Sequence, residues 1–223
     1  MSYSRFAIYY VAPEGTLAEF GASWLGWDIA RGCVVPLMDH PGLAAITEAP
    51  RKYGFHGTLK PPFRLADGAS EDGLHTALSD MARMLPPARC DGLELRVLGG
   101  FLALTPRGDL RPLQQVAETC VIALDRFRAP LTDAELARRR KANLSDRQEA
   151  LLRDWGYPYV MDQFRFHLTL SGKIAKADMP AWTKTARDAL PDLPRPFVID
   201  QVALCGERCD GRFEVIHRYP LTG

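Results

Sequence analysis

Short stretches of alternating apolar and polar residues mark this chain as rich in strands, because a strand turns successive side chains to opposite faces. Residues 6–11 are aromatic and β-branched and predict the first strand. Residues 53–60 and 164–170 predict two more, and the first of these is expected to stop at Pro61. Two alternating runs flank a Gly-Gly pair at residues 99–100 and predict a β-hairpin.

Apolar residues at helical spacing predict the helices. A capping-box pattern, Thr132 followed by Glu135, marks the start of one of them. The segment from residue 28 to residue 50 contains several Gly and Pro residues and predicts mostly loop. The predicted helices cover residues 17–27, 70–85, 110–127, 132–155 and 181–190.

The order strand, helix, hairpin occurs twice along the chain. The second hairpin combines residues 197–205 with residues 212–219 and turns at an Asp-Gly pair. The two repeat units cover about residues 51–105 and 162–219, and no low-complexity linker divides them. We therefore predict one α+β domain over residues 1–223, with two pseudo-symmetric lobes whose matched strands face a shared cleft.

The composition narrows the classes of function. Hydrophobic residues make up 47% and charged residues 25% of the 223 residues, as in ordinary globular proteins. The net charge of +1 argues against a long nucleic-acid footprint held by charge alone. No apolar stretch is long enough for a signal peptide or a membrane span, so we expect no membrane contact. The five scattered cysteines predict reduced thiols in a cytoplasmic protein, with no zinc site.

Each repeat unit opens with a His-x-Thr-Leu tetrad, HGTL in the first and HLTL in the second. Alternation puts His56 and Thr58 on one face of the first strand, and it does the same for His167 and Thr169 in the second. The two side chains of a pair lie about 6.6 Å apart along the strand, close enough for both to touch one phosphate. One such pair is ordinary on a half-buried strand, whereas two in matched strands indicate a catalytic site.

Two imidazoles and two hydroxyls suit phosphodiester chemistry. With an unperturbed pKa of about 6.5, one ring can take a proton from water while the other gives a proton to the leaving oxygen. The Thr hydroxyls can donate to the phosphate oxygens, where charge develops in the transition state. This chemistry calls for no metal and no cofactor.

Other side chains are candidates for holding the substrate. Some are basic residues that lie close to the tetrads in sequence or share their strand face, and one is an aromatic residue whose ring can stack on a base or sugar. The basic run at residues 138–141 is either a lid that grips an anionic substrate or a solvated helix face. The expected substrate-binding residues are Lys60, Arg64, Arg165, Lys173 and Tyr53.

The paired tetrads, about a hundred residues apart, resemble those of the two-histidine (2H) phosphoesterase superfamily. Residues 53–63 (YGFHGTLKPPF), 155–161 (WGYPYVM) and 164–170 (FRFHLTL) resemble the branch found with phosphonate-utilisation operons, a DUF1045-like group. The resemblance covers nearly the whole chain. One departure is Gly57, which stands where a hydrophobic residue often separates the His from the Thr.

The resemblance implies two lobes around a central cleft, each an antiparallel sheet with helices packed on the outside. It also implies that His56 and His167, assisted by Thr58 and Thr169, hydrolyse phosphodiesters without a metal. The implied substrates are 2′,3′-cyclic nucleotides, RNA ends and, in phosphonate metabolism, a cyclic ribose phosphate.

Three alternatives remain open at this point: a metal-dependent hydrolase with the same histidines as ligands, a non-catalytic nucleotide- or RNA-binding module, and RNA end-joining of the 2′–5′ type. The sequence lacks the motifs that are typical of nucleoside-triphosphate hydrolases, dinucleotide-dependent oxidoreductases, zincin proteases and α/β-hydrolases. The chain contains no G-x-x-x-x-G-K-[ST], G-x-G-x-x-G, H-E-x-x-H or G-x-S-x-G motif.

Overall fold

The computed structural model describes residues 3–223, which form one seven-stranded sheet, two small two-stranded sheets and seven α-helices. The strands are β1 (Phe6–Tyr10), β2 (Trp27–Asp28), β3 (Cys33–Val34), β4 (Gly57–Phe63), β5 (Ala88–Cys90), β6 (Gly92–Leu98), β7 (Phe101–Arg107), β8 (Leu168–Thr169), β9 (Phe197–Ile199), β10 (Gln201–Glu207) and β11 (Phe213–Pro220). The helices are α1 (Thr16–Leu25), α2 (Leu43–Arg51), α3 (Glu71–Arg83), α4 (Arg111–Ala123), α5 (Asp133–Arg140), α6 (Asp146–Trp155) and α7 (Met179–Ala189). Two 3-10 turns cover Asp125–Phe127 and Met161–Gln163.

The large sheet is antiparallel throughout, with the strand order β11-β10-β1-β4-β8-β7-β6. Its two halves, β11-β10-β1-β4 and β8-β7-β6, meet where Gly57 of β4 pairs with Leu168 of β8. The predicted α+β class, with antiparallel strands and helices, is confirmed.

Each half of the sheet mixes strands from both predicted repeat units. The Gly-Gly hairpin, β6 with β7, lies beside β8, whereas β4 lies beside β1 and, through it, the second hairpin of β10 and β11. The two histidine strands are therefore central neighbours rather than parts of two separate sheets.

The main core lies on one face of the sheet. Alternate residues of β1 (Phe6, Ile8 and Tyr10) point into it, where α1, α3, α4 and α7 cover the sheet with apolar side chains. The intervening residues Ala7 and Tyr9 belong to a smaller cluster on the opposite face. Both faces of this strand are thus buried, and the smaller cluster marks the face on which the histidines lie.

Residues 28–50 differ from the sequence prediction, because the mostly loop segment contains α2 and the short strands β2 and β3. Pro41 and Gly42 precede α2, and Gly42 adopts φ 84°, which glycine tolerates at a helix boundary. Pro50 lies in the last turn, where its ring interrupts little of the helix. The Gly and Pro residues therefore bound the helix rather than prevent it.

Two other predicted elements are each divided in the structure. The helix expected over residues 132–155 is two helices, α5 and α6, and Asn143 between them has a left-handed φ of 50°. The capping box of Thr132 and Glu135 is present. The strand expected over residues 197–205 is also two strands, since β9 pairs with β5 and β10 joins the large sheet.

Within the described residues, the five cysteines are free thiols. None of the helices formed by residues 3–223 has the length and apolar character that crossing a membrane requires.

Candidate active site

The register of the two central strands brings both tetrads together. Because Gly57 pairs with Leu168 in an antiparallel arrangement, His56 lies across from Thr169, and Thr58 lies across from His167. Opposed side chains on one face have Cβ atoms about 4.5–5.5 Å apart. The two histidines and two threonines thus form one cluster, in which each histidine faces the threonine of the other motif.

Hydrogen bonds fix the His56 ring in one tautomer. Its Nδ1 lies 2.9 Å from the carbonyl oxygen of Gly54 and must carry the hydrogen, because a carbonyl only accepts. In the neutral ring Nε2 then accepts from the Thr58 hydroxyl, at 3.1 Å. The ring also stacks on Tyr9, with centroids 3.9 Å apart. Burial, with a smaller effect of His167, lowers the pKa of His56 to about 4, so this ring is neutral at neutral pH.

His167 is held in the same way. Its Nδ1 lies 2.8 Å from the carbonyl oxygen of Arg165, again two residues earlier in the chain, so Nδ1 donates. Its ring centroid lies 5.6 Å from that of Phe101. Both rings therefore offer Nε2 to a substrate, and their common support is a backbone carbonyl rather than a carboxylate.

Two cavities flank the cluster, and the ring of Phe101 lines both. The first, of about 290 Å³, is lined by His56 and Thr169. The second, of about 350 Å³, is lined by His167 and Thr58. Each cavity thus pairs a histidine from one motif with the threonine from the other, and a substrate between the histidines has room on both sides.

Three of the predicted substrate-binding residues lie in these cavities. Tyr53 and Lys173 line the His56 cavity. Arg165 lines the His167 cavity, and its guanidinium donates to the backbone carbonyls of Asp162 and Phe164. The structure therefore places a cation on each side of the cluster.

The expectation that Lys60 and Arg64 join this cluster is at odds with the structure. Lys60 is buried. Its Nζ donates to the Val121 carbonyl at 3.0 Å and lies 3.5 Å from the Asp125 carboxylate. Arg64 donates to Glu135, at 3.2 Å. Both side chains line a small cavity away from the histidines.

A β-bulge explains the position of Lys60. Thr58 pairs with Tyr9 but Lys60 pairs with Ile8, so Leu59 is an extra residue without a partner on β1. Strict alternation would put Lys60 beside Thr58, but the bulge turns it to the face of Ile8, which is the main core. A second register shift, between Lys60 and Phe63, accommodates Pro61 and Pro62, which were expected to end β4.

We expect Lys60→Met to leave the turnover measured for the candidate site unchanged, because Lys60 lies away from the histidines. We also expect it to change the free energy of unfolding by less than about 2 kcal/mol, because Asp125 keeps its ion pair with Arg128. Burial lowers the pKa of Lys60 from 10.5 to about 8, so the unfolded chain binds more protons between these pH values. The wild type should gain stability relative to the variant as the pH rises from 8 to 10.5. Denaturant titrations at several pH values measure this; loss of turnover in the variant would return Lys60 to the active site.

Several residues of the site carry no recognisable sequence signal. Phe101 follows the Gly-Gly turn and is brought to the cleft only by the pairing of β7 with β8. Ala49 and Pro50 line the His56 cavity from α2, a helix the sequence did not predict. Tyr9 fits the strand pattern of β1, but its stacking on His56 depends on the neighbouring strand.

Within residues 3–223, no three side chains of the His, Cys, Asp and Glu types come together in an arrangement suited to a metal ion. The cluster itself offers two imidazoles and two hydroxyls, a set suited to proton transfer and hydrogen bonding.

A family model matches residues 58–214 and is described as DUF1045, protein of unknown function. The chain belongs to the DUF1045 family. The DUF1045-like resemblance expected from the sequence is therefore confirmed.

Two curated relatives are both named ribose 1,5-bisphosphate phosphokinase PhnN. The protein of Janthinobacterium sp. (strain Marseille) is 41% identical over 238 residues, covering 100% of this chain and 52% of the relative. The protein of Laribacter hongkongensis (strain HLHK9) is 35% identical over 187 residues, covering 82% of this chain and 43% of the relative. The DUF1045 chain thus spans about half the length of the curated relatives it matches.

Solved structures with a similar arrangement include E. coli LigT complexed with 3′-AMP and a protein described as a phosphoesterase. The LigT structure is 16% identical with a TM-score of 0.49, and the phosphoesterase is 15% identical with a TM-score of 0.45. Each alignment covers 100% of both chains.

Proposed function

We propose that this DUF1045 protein is a metal-independent phosphodiesterase that hydrolyses a cyclic phosphodiester. The observation that carries the proposal is the cross-pairing of the tetrads, in which His56 faces Thr169 and His167 faces Thr58 across one strand pair. A phosphate between the two imidazoles would have a proton acceptor on one side, a proton donor on the other and hydroxyl donors for its oxygens.

In the proposed mechanism His56 is the base and His167 the acid. The low pKa of His56 leaves its Nε2 without a proton at neutral pH, which suits this ring to the role of base, and the role of acid then falls to His167. A water oxygen attacks phosphorus and gives its proton to His56, while the ring P–O bond breaks and the leaving oxygen takes a proton from His167. The product is a phosphomonoester with a free hydroxyl, and exchange with solvent restores both rings.

Thr58 has a defined role in these proposed reaction steps. Its hydroxyl, which donates to His56 in the structure, turns to a non-bridging phosphate oxygen when substrate binds. This movement frees the His56 Nε2 for the attacking water. Thr169 would support the same phosphate from the opposite strand.

The pH dependence tests the assignment of the base. We expect kcat/KM to hold as the pH falls below 6.5 and to reach half its value near pH 4, because the base titrates at the lowered pKa of His56. The profile is measured in overlapping buffers, with the folded state checked by circular dichroism at each pH. A loss with its midpoint at pH 6–7 that stayed in place in a His56 variant would contradict the assignment.

The names of the relatives support a ribose phosphate as the substrate class. They name a kinase that acts on ribose 1,5-bisphosphate, and the suffix PhnN connects them with phosphonate metabolism. This chain contains no G-x-x-x-x-G-K-[ST] loop for ATP, so we assign the named kinase activity to the part of the relatives outside the match. A phosphodiesterase beside such a kinase is suited to a cyclic ribose phosphate.

A substrate panel tests the proposal. It contains 2′,3′-cyclic nucleotides, a short 2′–5′-linked RNA and a ribose 1,2-cyclic phosphate, each incubated with the protein in excess EDTA. Cleavage of a cyclic compound without loss to EDTA is the expected result. Chelator-sensitive cleavage would instead indicate a metal-dependent hydrolase, end-joining of RNA would indicate a ligase, and binding without turnover would indicate a nucleotide-binding module.

A further inference from the structure

Three consecutive arginines near the end of α5 take three different environments. Arg138 is exposed to solvent. Arg140 donates to Glu149, with 3.0 Å between its Nε and the nearer carboxylate oxygen. Arg139 instead turns inward, and its Cζ lies 4.6 Å from the centroid of the Tyr157 ring. The basic run is therefore not a uniform solvated face.

The positive charge of Arg139 is not compensated by a hydrogen bond at its buried nitrogen. Nε is buried and has no acceptor anywhere in residues 3–223. Burial lowers the pKa of the guanidinium, which still keeps its proton at any ordinary pH. A buried donor without a partner is rare and costly in a native protein, so its retention needs an explanation.

The nearest charges do not provide the missing partner. Glu135, one turn earlier on α5, accepts from Arg64 and from the backbone of Thr132. Arg138 and, to a smaller extent, Arg5 lower the pKa of Arg139, whereas Glu135 raises it. The carboxylate that would neutralise Arg139 is thus already engaged, and the surroundings favour an incoming anion.

Arg139 lines neither of the two cavities itself and is connected with the candidate site through Tyr157. The Tyr157 ring on which it packs forms part of the wall of the His167 cavity. The same cavity is lined by Tyr159, which meets the Tyr157 ring edge-on at 5.6 Å. The two histidines and two threonines would bind the phosphate that is cleaved. An anion that binds Arg139 would therefore belong to another part of the substrate.

We propose that Arg139 binds a second phosphate of the substrate, one that is not cleaved, and so selects cyclic phosphodiesters that carry an additional phosphomonoester. This inference rests on the proposed function for the position of the scissile phosphate. The guanidinium edge offers paired donors that match phosphate geometry, while its face stays packed on Tyr157. The basic run then acts through one residue rather than as a lid of four.

The test compares binding of two probes that differ by one phosphate, adenosine 2′,3′-cyclic phosphate with and without a 5′-phosphate. Calorimetry gives the dissociation constants for the wild type, Arg139→Ala, Arg139→Lys and Arg138→Ala. We expect the wild type to prefer the 5′-phosphorylated probe by about 10–100-fold, as charge-assisted hydrogen bonds allow. Arg139→Ala should lose this preference, Arg139→Lys should keep part of it, and Arg138→Ala, which removes the same charge from an exposed neighbour, should keep all of it.

The inference and the proposed function fail separately in this experiment. Binding with the expected preference, but without hydrolysis of either probe, supports the role of Arg139 and contradicts the phosphodiesterase. Hydrolysis of the probes without a preference for the 5′-phosphorylated one supports the phosphodiesterase and contradicts the role of Arg139. A preference unchanged in Arg139→Ala, an equal loss for both probes, or no binding of either probe overturns the inference, and an equal loss together with a lower melting temperature would identify Arg139 as a packing residue.

Discussion

Replacing either active-site histidine by alanine is expected to reduce turnover of the cleaved panel compound by about 10²-fold or more. In the proposed mechanism, His56→Ala removes the ring whose Nε2 accepts the proton from water, and His167→Ala removes the ring that protonates the leaving oxygen. Both variants should fold, because each ring lies at the edge of a cavity, and His56→Ala loses in addition only the Thr58 hydrogen bond and the stacking on Tyr9. Steady-state kinetics in EDTA, with melting curves for each variant, measure both effects.

A histidine outside the cleft provides the matched control. His217 is exposed on β11, and His217→Ala should keep the turnover of the wild type. The double variant of His56 and His167 should be little worse than either single variant, since the two rings act in one step. Retention of turnover in either single variant would remove the paired acid–base mechanism and favour a binding module.

Substitution of Gly57 by valine should strongly destabilise the protein. A Cβ at this position would lie 2.3 Å from Cζ of Phe166, whose ring is buried against Tyr10 and Phe197. Overpacking of this kind costs about 1–3 kcal/mol, and a chain of this length loses roughly 2–4 °C in melting temperature for each kcal/mol. Turnover should fall as well, because the only paired residues of β4 and β8 are Gly57 and Leu168.

A second substitution separates this cause from others. Phe166→Ala opens the space that the valine needs, so the double variant should be less destabilised than the sum of the two single variants. Thermal unfolding of all four proteins gives the coupling energy, which for contacting residues is about 0.5–3 kcal/mol. Purely additive losses would show that Phe166 is not the reason for the glycine.

Gly57 also explains the departure from the usual motif. The second tetrad has Leu168 between its His and Thr, whereas the first has glycine because the Phe166 ring fills the space of a side chain. The apolar side chain at that point of the core is therefore the Phe166 ring and not a side chain at position 57. Nothing in the first tetrad alone indicates this exchange.

Much of the local structure follows from the sequence. The Gly-Gly hairpin, the capping box at Thr132 and the strand face shared by His56 and Thr58 are local properties of turns, caps and alternation. The position of Lys60 is different, because a single unpaired residue on β4, Leu59, turns Lys60 to the other face of the strand. The bulge depends on the pairing of β4 with β1, about fifty residues away in sequence.

The sequence by itself determined which residues can perform the chemistry: two histidines and two threonines, each pair on one face of a strand. Only the tertiary structure decided how those pairs meet. The antiparallel register at Gly57 and Leu168 sets each histidine against the threonine of the other motif, and a shift of two residues would keep the faces but change the partners. The inward turn of Arg139 is decided in the same way, by packing between segments that local patterns do not describe.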